Sequence, residues 1–369
     1  MLTYKFRIYP TTAQARTMGE TLETCRSLYN SMLADRIEKR TGFYDQKKML
    51  VELKQNDKHL KSVHSQVLQD VVPRLDKAYQ RFFAGLSRYP KFRRSGRYNS
   101  FTYPQSGFRL EGEKVIRLST IGRVRVTLHR RVTGAIRRAT VIRDIDQWFV
   151  ALLVEQDHRM VPSSSGKVGV DMGISNVVAL SDGMLIDNPR LLSKSIERIK
   201  SLQRRLSNKK KGSSNREKAK LSLAKASRKA RRQRDDFAHK LSERLTKENK
   251  VIVFEDLKVR NMVKNHSLAS AIMDASWGQL RRLTAYKAER RGGRVILVNP
   301  SGTSQKCSGC GAMVLKQLSE RVHDCPRCGL VMDRDVNAAR NILQAGLEQA
   351  RVEAERLLVQ RRGISKFGR

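Results

Sequence analysis

Lys167–Ile186, KVGVDMGISNVVALSDGMLI, is the stretch on which the fold turns. It opens as a short apolar strand, reaches a carboxylate at Asp171, and continues hairpin-like through Ser181, Asp182 and Gly183. Working outward, residues 251–257, VIVFEDL, form a continuous apolar run typical of a buried strand, and this run also ends in an acid, Glu255. Residues 333–342, DRDVNAARNI, place Asp335 near the start of a helix. A carboxylate at the end of an apolar strand costs several kcal/mol to bury unless it is paired or bound to a cation. Two strands ending this way are expected to converge. A third acid from a helix start completes a cluster able to bind two Mg²⁺ or Mn²⁺ ions roughly 3.5–4 Å apart. Asp256 could instead cap a helix, and Asp333 could be the third ligand with Asp335 as the cap. In such a cluster one ion activates water while the other stabilises a leaving oxygen, so no side-chain nucleophile is required. The sequence offers no convincing Ser/His/Asp arrangement.

Four of the five cysteines fall within 22 consecutive positions. Cys307, Cys310, Cys325 and Cys328 form two C-x2-C pairs separated by 14 residues, and Gly311 and Gly329 follow where such knuckles need positive φ. Two knuckles supply the tetrahedral thiolate set of one structural Zn²⁺, with no position left for a catalytic water. His323 is near enough to be considered, but four sulfurs make it unnecessary. Clustering of this kind suggests a metal site in a reducing compartment rather than a disulfide framework. Cys25, alone in a helical pattern, reads as an inert core thiol.

Lys and Arg number 75 against 35 Asp and Glu, a formal net charge of +40 over 369 residues. Self-repulsion of that size opposes compaction unless a polyanion neutralises it, so nucleic acid is the expected partner. The chain has no run of about 18 apolar residues and no signal-peptide pattern at its start, which points away from membranes and towards a soluble intracellular protein.

The opening TYKFRIYP alternates as a strand ending at Pro10, and Thr11 or Thr12 is placed to cap a helix. The pattern is then helical to about Arg88, with Leu22, Cys25, Leu28, Tyr29, Met32 and Leu33 on one face and a kink or break expected near Val72, before Pro73. From Tyr89 to about Val161 the period shortens, and KVIRLSTIGRVRVTLHR and ATVIRDIDQWFVALLVE read as short strands of a small barrel closed by the N-terminal strand. PSSSG, residues 162–166, reads as a linker. Beyond it, residues from about 191 to 250 are helical and intensely basic, SWGQLRRLTAYKAERRG is an amphipathic helix, RVILVNP is a buried strand, and the chain closes on a final helix or pair of helices.

GVDMGISN, VIVFEDL, SQKCSGCG, CPRCG and DRDVNAARNI, in that order, resemble TnpB, the transposon-encoded nuclease family related to type V CRISPR effectors and the eukaryotic Fanzor proteins. The resemblance covers essentially the whole chain, including AYQRFF, YPKFRRSGRYNSFTYP and RRQRDDFAHKLS. It implies an α/β RNase H-like (RuvC) nuclease domain over 166–300 and 331–369, with a target-binding zinc ribbon inserted at 301–330. It also implies all-β and all-α parts: a β-barrel wedge domain over 1–10 and 89–161, with a helical recognition domain inserted at 11–88. The activity implied is RNA-guided cleavage of double-stranded DNA beside a short flanking motif, with a transposon-derived guide RNA, one chain per RNA, in the bacterial cytoplasm. Carried over by position, Asp171, Glu255 and Asp335 form the metal-binding triad, Asp335 being the aspartate of the family's D-x-N-A-A run, and Asn337 supports them. Gln69, Thr102 and Tyr103 fall where the flanking motif is read.

The basic residues expected at phosphates are Arg93, Arg94, Lys209, Lys210, Lys211, Arg228, Lys229, Arg231, Arg232 and Arg234. Phe92 and Tyr98, beside Arg93, Arg94 and Arg97, could stack on bases, with core packing the favoured fate of Phe92, and Trp148 and Trp277 are expected in the core. Two other readings share parts of this pattern. A nuclease-inactive guided repressor is disfavoured by the intact acids, and an RNase H-like transposase or resolvase acting without RNA leaves the ribbon's position unexplained.

Overall fold

The computed structural model describes the chain outside residues 157–163, 192, 263–275, 318–319 and 365–369, and it divides into two compact units, Met1–Asp157 and His158–Arg369. The division precedes the expected linker at 162–166, of which Pro162 and Ser163 lie outside the described residues and Gly166 already belongs to a strand.

The first unit starts with strand β1 (Leu2–Tyr9) and helix α1 (Thr12–Glu38). Thr11 caps α1 in a reciprocal box: its hydroxyl accepts from the Gln14 N–H at 3.3 Å, and the Gln14 side chain accepts from the Thr11 N–H at 3.0 Å. The face of α1 that the spacing picks out is the buried one, and burial pushes the Cys25 thiol up to about 12, as suits an inert core group. Next come α2 (Phe43–Asn56), α3 (Lys58–Lys61), α4 (Ser65–Gln69) and α5 (Val71–Phe83). The chain breaks at Asp70 rather than kinking at Val72. Pro73 is the third residue of α5, where its missing N–H has no intrahelical partner to lose.

Six more strands follow: β2 (Ser100–Tyr103), β3 (Phe108–Glu111), β4 (Val115–Leu118), β5 (Gly122–Thr127), β6 (Ala135–Asp144) and β7 (Gln147–Glu155). They form an antiparallel sheet in the order β2-β6-β7-β1-β5-β4-β3, with β1 joining the two halves through Phe6↔Val150 and Ile8↔Val126. Alternate residues Phe6, Ile8, Val150, Leu152 and Val154 fill the core. At the sheet's two ends, Tyr103 of β2 meets Phe108 of β3 with ring centroids 6.5 Å apart, so the edge strands come together through side chains.

In the second unit, β8 (Gly166–Asp171), β9 (Asn176–Leu180) and β10 (Leu185–Asp187) run antiparallel in succession. Helices α6 (Ser193–Ser207) and α7 (Ser214–Glu248) lead to β11 (Asn249–Glu255). After α8 (Val259–Met262) and α9 (Trp277–Arg290) comes β12 (Arg294–Val298). The sheet order is β10-β9-β8-β11-β12, with β8, β11 and β12 parallel. The hairpin β13 (Val322–Asp324) and β14 (Val331–Asp333) then feeds directly into one long helix, α10 (Arg334–Ile364).

α10 lies unusually close to the sheet because two glycines permit it. A Cβ on Gly169 would stand 2.0 Å from the Ala339 carbonyl oxygen, and one on Gly346 would stand 2.4 Å from Val253 Cγ1. Trp148 and Trp277 are buried as expected, and the Trp277 indole N–H donates to the Gly173 carbonyl at 3.2 Å. Phe92 is not in the core. Its side chain is 56% exposed in the irregular segment after α5, while Tyr98 is the one buried, beneath the Arg74 guanidinium at 5.1 Å. The segment has no regular period, so neither ring's direction could be read from spacing.

Candidate carboxylate site and cysteine centre

Parallel pairing in register sets Val170 of β8 opposite Phe254 of β11. Each strand's next residue is its acid, so Asp171 and Glu255 emerge side by side at the carboxyl ends of neighbouring parallel strands, where open α/β sheets bind ligands. Helix α10 adds Asp335 in its first turn. The DRD alternatives separate by geometry. Asp333 Oδ1 accepts from the Asp335 and Val336 N–H groups at 2.8 and 3.1 Å, which makes Asp333 the helix cap and leaves the Asp335 carboxylate to face the sheet. Asp256 neither caps a helix nor joins the cluster; its exposed carboxylate pairs with Arg281 at 3.0 Å.

The cluster is electrostatically strained. Burial, then the negative charges of Glu255 and Asp335, push the Asp171 carboxyl up to about 8, against an opposing pull from Arg334. Burial also raises Glu255, only 7% exposed, although the Thr303 hydroxyl donates to its Oε1 at 2.5 Å. Asp335 is held by Arg334 at 3.3 Å and Arg321 at 3.8 Å, and no ion pair reaches Asp171 or Glu255 among the described residues. Carboxylate oxygens at a strand-end pair that no ion pair neutralises suit hard divalent cations.

The second centre is compact. The Sγ atoms of Cys307, Cys310, Cys325 and Cys328 lie within 4.8 Å of one another, the only such set of three or more ligands among the described residues. Two of the separations are 3.7 and 3.6 Å, close to the roughly 3.8 Å that tetrahedral Zn–S bonds of about 2.3 Å require. Gly311 and Gly329 adopt φ of +75° and +70°, as the knuckles demand. His323 is buried against Lys316 and lies outside the set. Asn337 does not face the carboxylates. It accepts from the Ser308 N–H at 2.9 Å and donates to the Lys306 carbonyl at 2.8 Å, tying α10 to the first knuckle.

In the first unit, exposed Gln69 and largely buried Thr102 line one groove of about 1060 Å³ bordered by Lys47, Lys54, Arg74 and Arg138, with the Thr102 hydroxyl accepting from Arg74 at 3.3 Å and 3.2 Å from the Thr140 hydroxyl. Tyr103 is not there. It is 1% exposed, and its hydroxyl donates to the Ser119 carbonyl at 2.8 Å, because its side chain fills the core of the curled sheet. Arg93 and Arg94 are exposed, and Arg93 is fixed by its backbone bonds to Asn30 and stacks on Tyr29 at 5.5 Å. Lys209, Lys210, Lys211, Lys229 and Arg231 are exposed, while Arg232 and Arg234 are half-buried. Arg228 is 8% exposed, its stem being the part that packs against neighbours. Sequence reasoning missed Thr303, Asn341 and Gly169, whose roles depend on contacts between distant segments.

Three family profiles match the chain: "Cas12f1-like, TNB domain" over residues 277–342, "Probable transposase" over 151–266 and "Helix-turn-helix domain" over 1–42. The last span is here strand β1 followed by one uninterrupted helix, α1. A Streptomyces pristinaespiralis protein, named provisionally as an RNA-guided DNA endonuclease, is 36% identical over 93% of this chain and 89% of its own length. InsQ of Escherichia coli K12, similarly named, is 33% identical over 93% of this chain and 92% of its own. Among solved structures, a Cas12f1–sgRNA–target DNA complex superposes with a TM-score of 0.57 at 12% identity, covering 89% of this chain and 82% of that one. The fold is therefore that of the Cas12 effectors, mixed α/β with a four-cysteine centre. At the level of sequence the assignment is closer: the chain belongs to the TnpB family of IS605-type transposon proteins.

Proposed function

We propose that this chain is an RNA-guided DNA endonuclease that cuts phosphodiesters at the carboxyl edge of its five-stranded sheet. What supports the reading is that Asp171 and Glu255 end neighbouring parallel strands and that burial, with the negative charges of Glu255 and Asp335, raises the Asp171 carboxyl to about 8. These three acids would hold Mg²⁺ or Mn²⁺, which supply water activation and charge neutralisation at the scissile phosphate. The sheet is read as an RNase H-like (RuvC) core over 166–300 and 331–369, the cysteine centre as a Zn²⁺ ribbon over 301–330, and the first unit as a wedge barrel with an inserted recognition helix set. Asp333 caps α10, and Gly169 and Gly346 let α10 pack closely against β8 and β11, which supports a place for Asp335 beside the other two acids.

The net charge of +40 fits a chain that holds an RNA–DNA heteroduplex through its backbone, with sequence discrimination left to base pairing. Exposed Lys209, Lys210, Lys211, Lys229 and Arg231 are the proposed phosphate contacts of the second unit, and Arg93 and Arg94 those of the first. Gln69 and Thr102 share the basic groove proposed to meet the motif flanking the target. No described helix is long and apolar enough to cross a membrane.

The test is to purify the protein from its native context, sequence the bound RNA, and assay matched DNA with Mg²⁺. Asp171→Ala is expected to abolish cutting and leave DNA binding nearly unchanged. Cutting that persists in this variant, or a protein that carries no RNA, overturns the reading.

A further inference from the structure

Between strand β12 and the first cysteine knuckle the chain runs through Pro300–Lys306, a segment with no regular structure and yet tightly bound. Its Thr303 side chain is buried beside Glu255, with its hydroxyl 2.5 Å from Glu255 Oε1 and 3.2 Å from the Pro300 carbonyl. A hydroxyl has one proton to give, and the shorter contact lies in the range of charge-assisted O–H···O⁻ bonds. Thr303 is itself fixed from behind. Asn341, one turn further along α10 than Asn337, donates to the Thr303 carbonyl at 2.8 Å and to the Lys306 carbonyl at 2.6 Å. Asn337 closes the clamp on Lys306 and Ser308. Thr303, Lys306 and Ser308 are thus tied to the helix that carries Asp335, with one end of the segment donating to Glu255 and the other entering the Cys307 knuckle.

We infer that Thr303 is a positioning residue for the carboxylate site, its hydroxyl fixing the Glu255 carboxylate in the orientation that receives a divalent cation, with Asn337 and Asn341 holding it in register with Asp335. This inference rests on the carboxylate cluster being a cation site. Glu255 has several side-chain torsions and sits at a strand end, so without a donor on Oε1 it must be ordered at the moment of binding. Hydrogen bonds to metal-ligating carboxylates typically contribute 10–100-fold in metal affinity. Because the donor lies on the segment leading into the cysteine knuckle, the same clamp links the state of the ribbon to the acids.

The experiment measures Mn²⁺ binding to the full-length, zinc-loaded protein by electron paramagnetic resonance and calorimetry, with thermal unfolding in Mn²⁺-free buffer as a fold control. Thr303→Val, which keeps the shape and removes the hydroxyl, is expected to weaken Mn²⁺ binding at least tenfold. Thr303→Ser, which restores the donor, is expected to return to within about threefold of wild type. A packing role alone predicts the reverse, because valine fills the site better than serine. If the valine variant unfolds, Thr303→Ala takes its place with the same expectation. Valine or alanine binding Mn²⁺ as wild type does, or serine failing to rescue, overturns the inference. Asp171→Asn separates the two readings: if wild type and Asp171→Asn bind Mn²⁺ alike, the cation site itself is wrong, whereas loss in Asp171→Asn with none in Thr303→Val sinks only the role of Thr303.

Discussion

Asp171→Asn should make the cation-free protein more stable, a direction opposite to that expected for loss of a buried polar contact. In an unfolded chain the carboxyl ionises near 4, whereas in the folded, cation-free cluster it keeps its proton up to about 8. Folding therefore takes up a proton across that window, and stability is complete at the acid end and drains away as pH rises from about 4 to about 8. At about 1.4 kcal/mol per pH unit the cost near pH 7.5 has an upper bound of roughly 5 kcal/mol. Asp171 is partly buried at its strand end, and with the higher effective dielectric of real protein sites this comes down to about 2–3 kcal/mol. Asparagine preserves the shape and carries no charge, so its advantage should be small at pH 5 and level off above pH 8. In thermal terms the gain is about 5–10 °C for a unit of this size. The assay is thermal unfolding by circular dichroism of zinc-loaded protein dialysed free of Mg²⁺ and Mn²⁺, in steps from pH 5 to 8.5. Added Mg²⁺ should then raise wild type and leave the variant where it was. Equal melting of the two proteins at every pH, or a wild type that gains stability as pH rises, would refute the electrostatic reasoning.

Cys310→Ser should leave much less than one zinc per chain by atomic emission and lower the melting temperature, since closed thiolate sites contribute folding energy directly; unchanged zinc content would remove the metal assignment. Gly169→Ala puts a Cβ 2.0 Å from a backbone carbonyl, so α10 must shift, and a loss of roughly 1–3 kcal/mol in denaturant unfolding is expected together with weaker Mn²⁺ binding. Replacing Lys209, Lys210 and Lys211 together by alanine should reduce the salt dependence of nucleic-acid binding by a log–log slope of about 2–3, measured by fluorescence anisotropy across a salt series; an unaltered slope would show that these lysines do not touch phosphate.

Continuous apolar runs made β8 and β11 legible, and the acid at the end of each run gave two-thirds of the cluster before any coordinates. The third acid was harder. In DRD both aspartates have the composition of a cap and of a ligand, and only the hydrogen bonds from the Asp335 and Val336 N–H groups to Asp333 show which is the cap. The cysteine knuckles were readable because C-x2-C with a following glycine is local geometry. The misread rings, Phe92 outside and Tyr103 inside, lie where local pattern carries little: one in a segment without a period, the other on a four-residue strand whose last three residues are all buried. Thr303, Asn341 and Gly169 were invisible for a related reason. Each acts on a segment 38 to 170 positions away along the chain, and nothing in its own neighbourhood marks it.

The distribution of charge argues further for a cation at the acids. A chain with 75 lysines and arginines has ample means to neutralise three carboxylates. Among the described residues, two of them, Arg334 and Arg321, form ion pairs with Asp335, and Arg334 also pulls on Asp171 without outweighing its burial. The remaining positive charge acts from a distance, and screening over about 8 Å at physiological salt makes it weak against local burial and the repulsion between neighbours. That is why Asp171 is raised in a protein whose overall field should lower it. A lysine packed between Asp171 and Glu255 would have removed the strain at the cost of the site. Keeping the pair without one leaves a gap in the chain's own neutralisation of the kind that the proposed cation site requires.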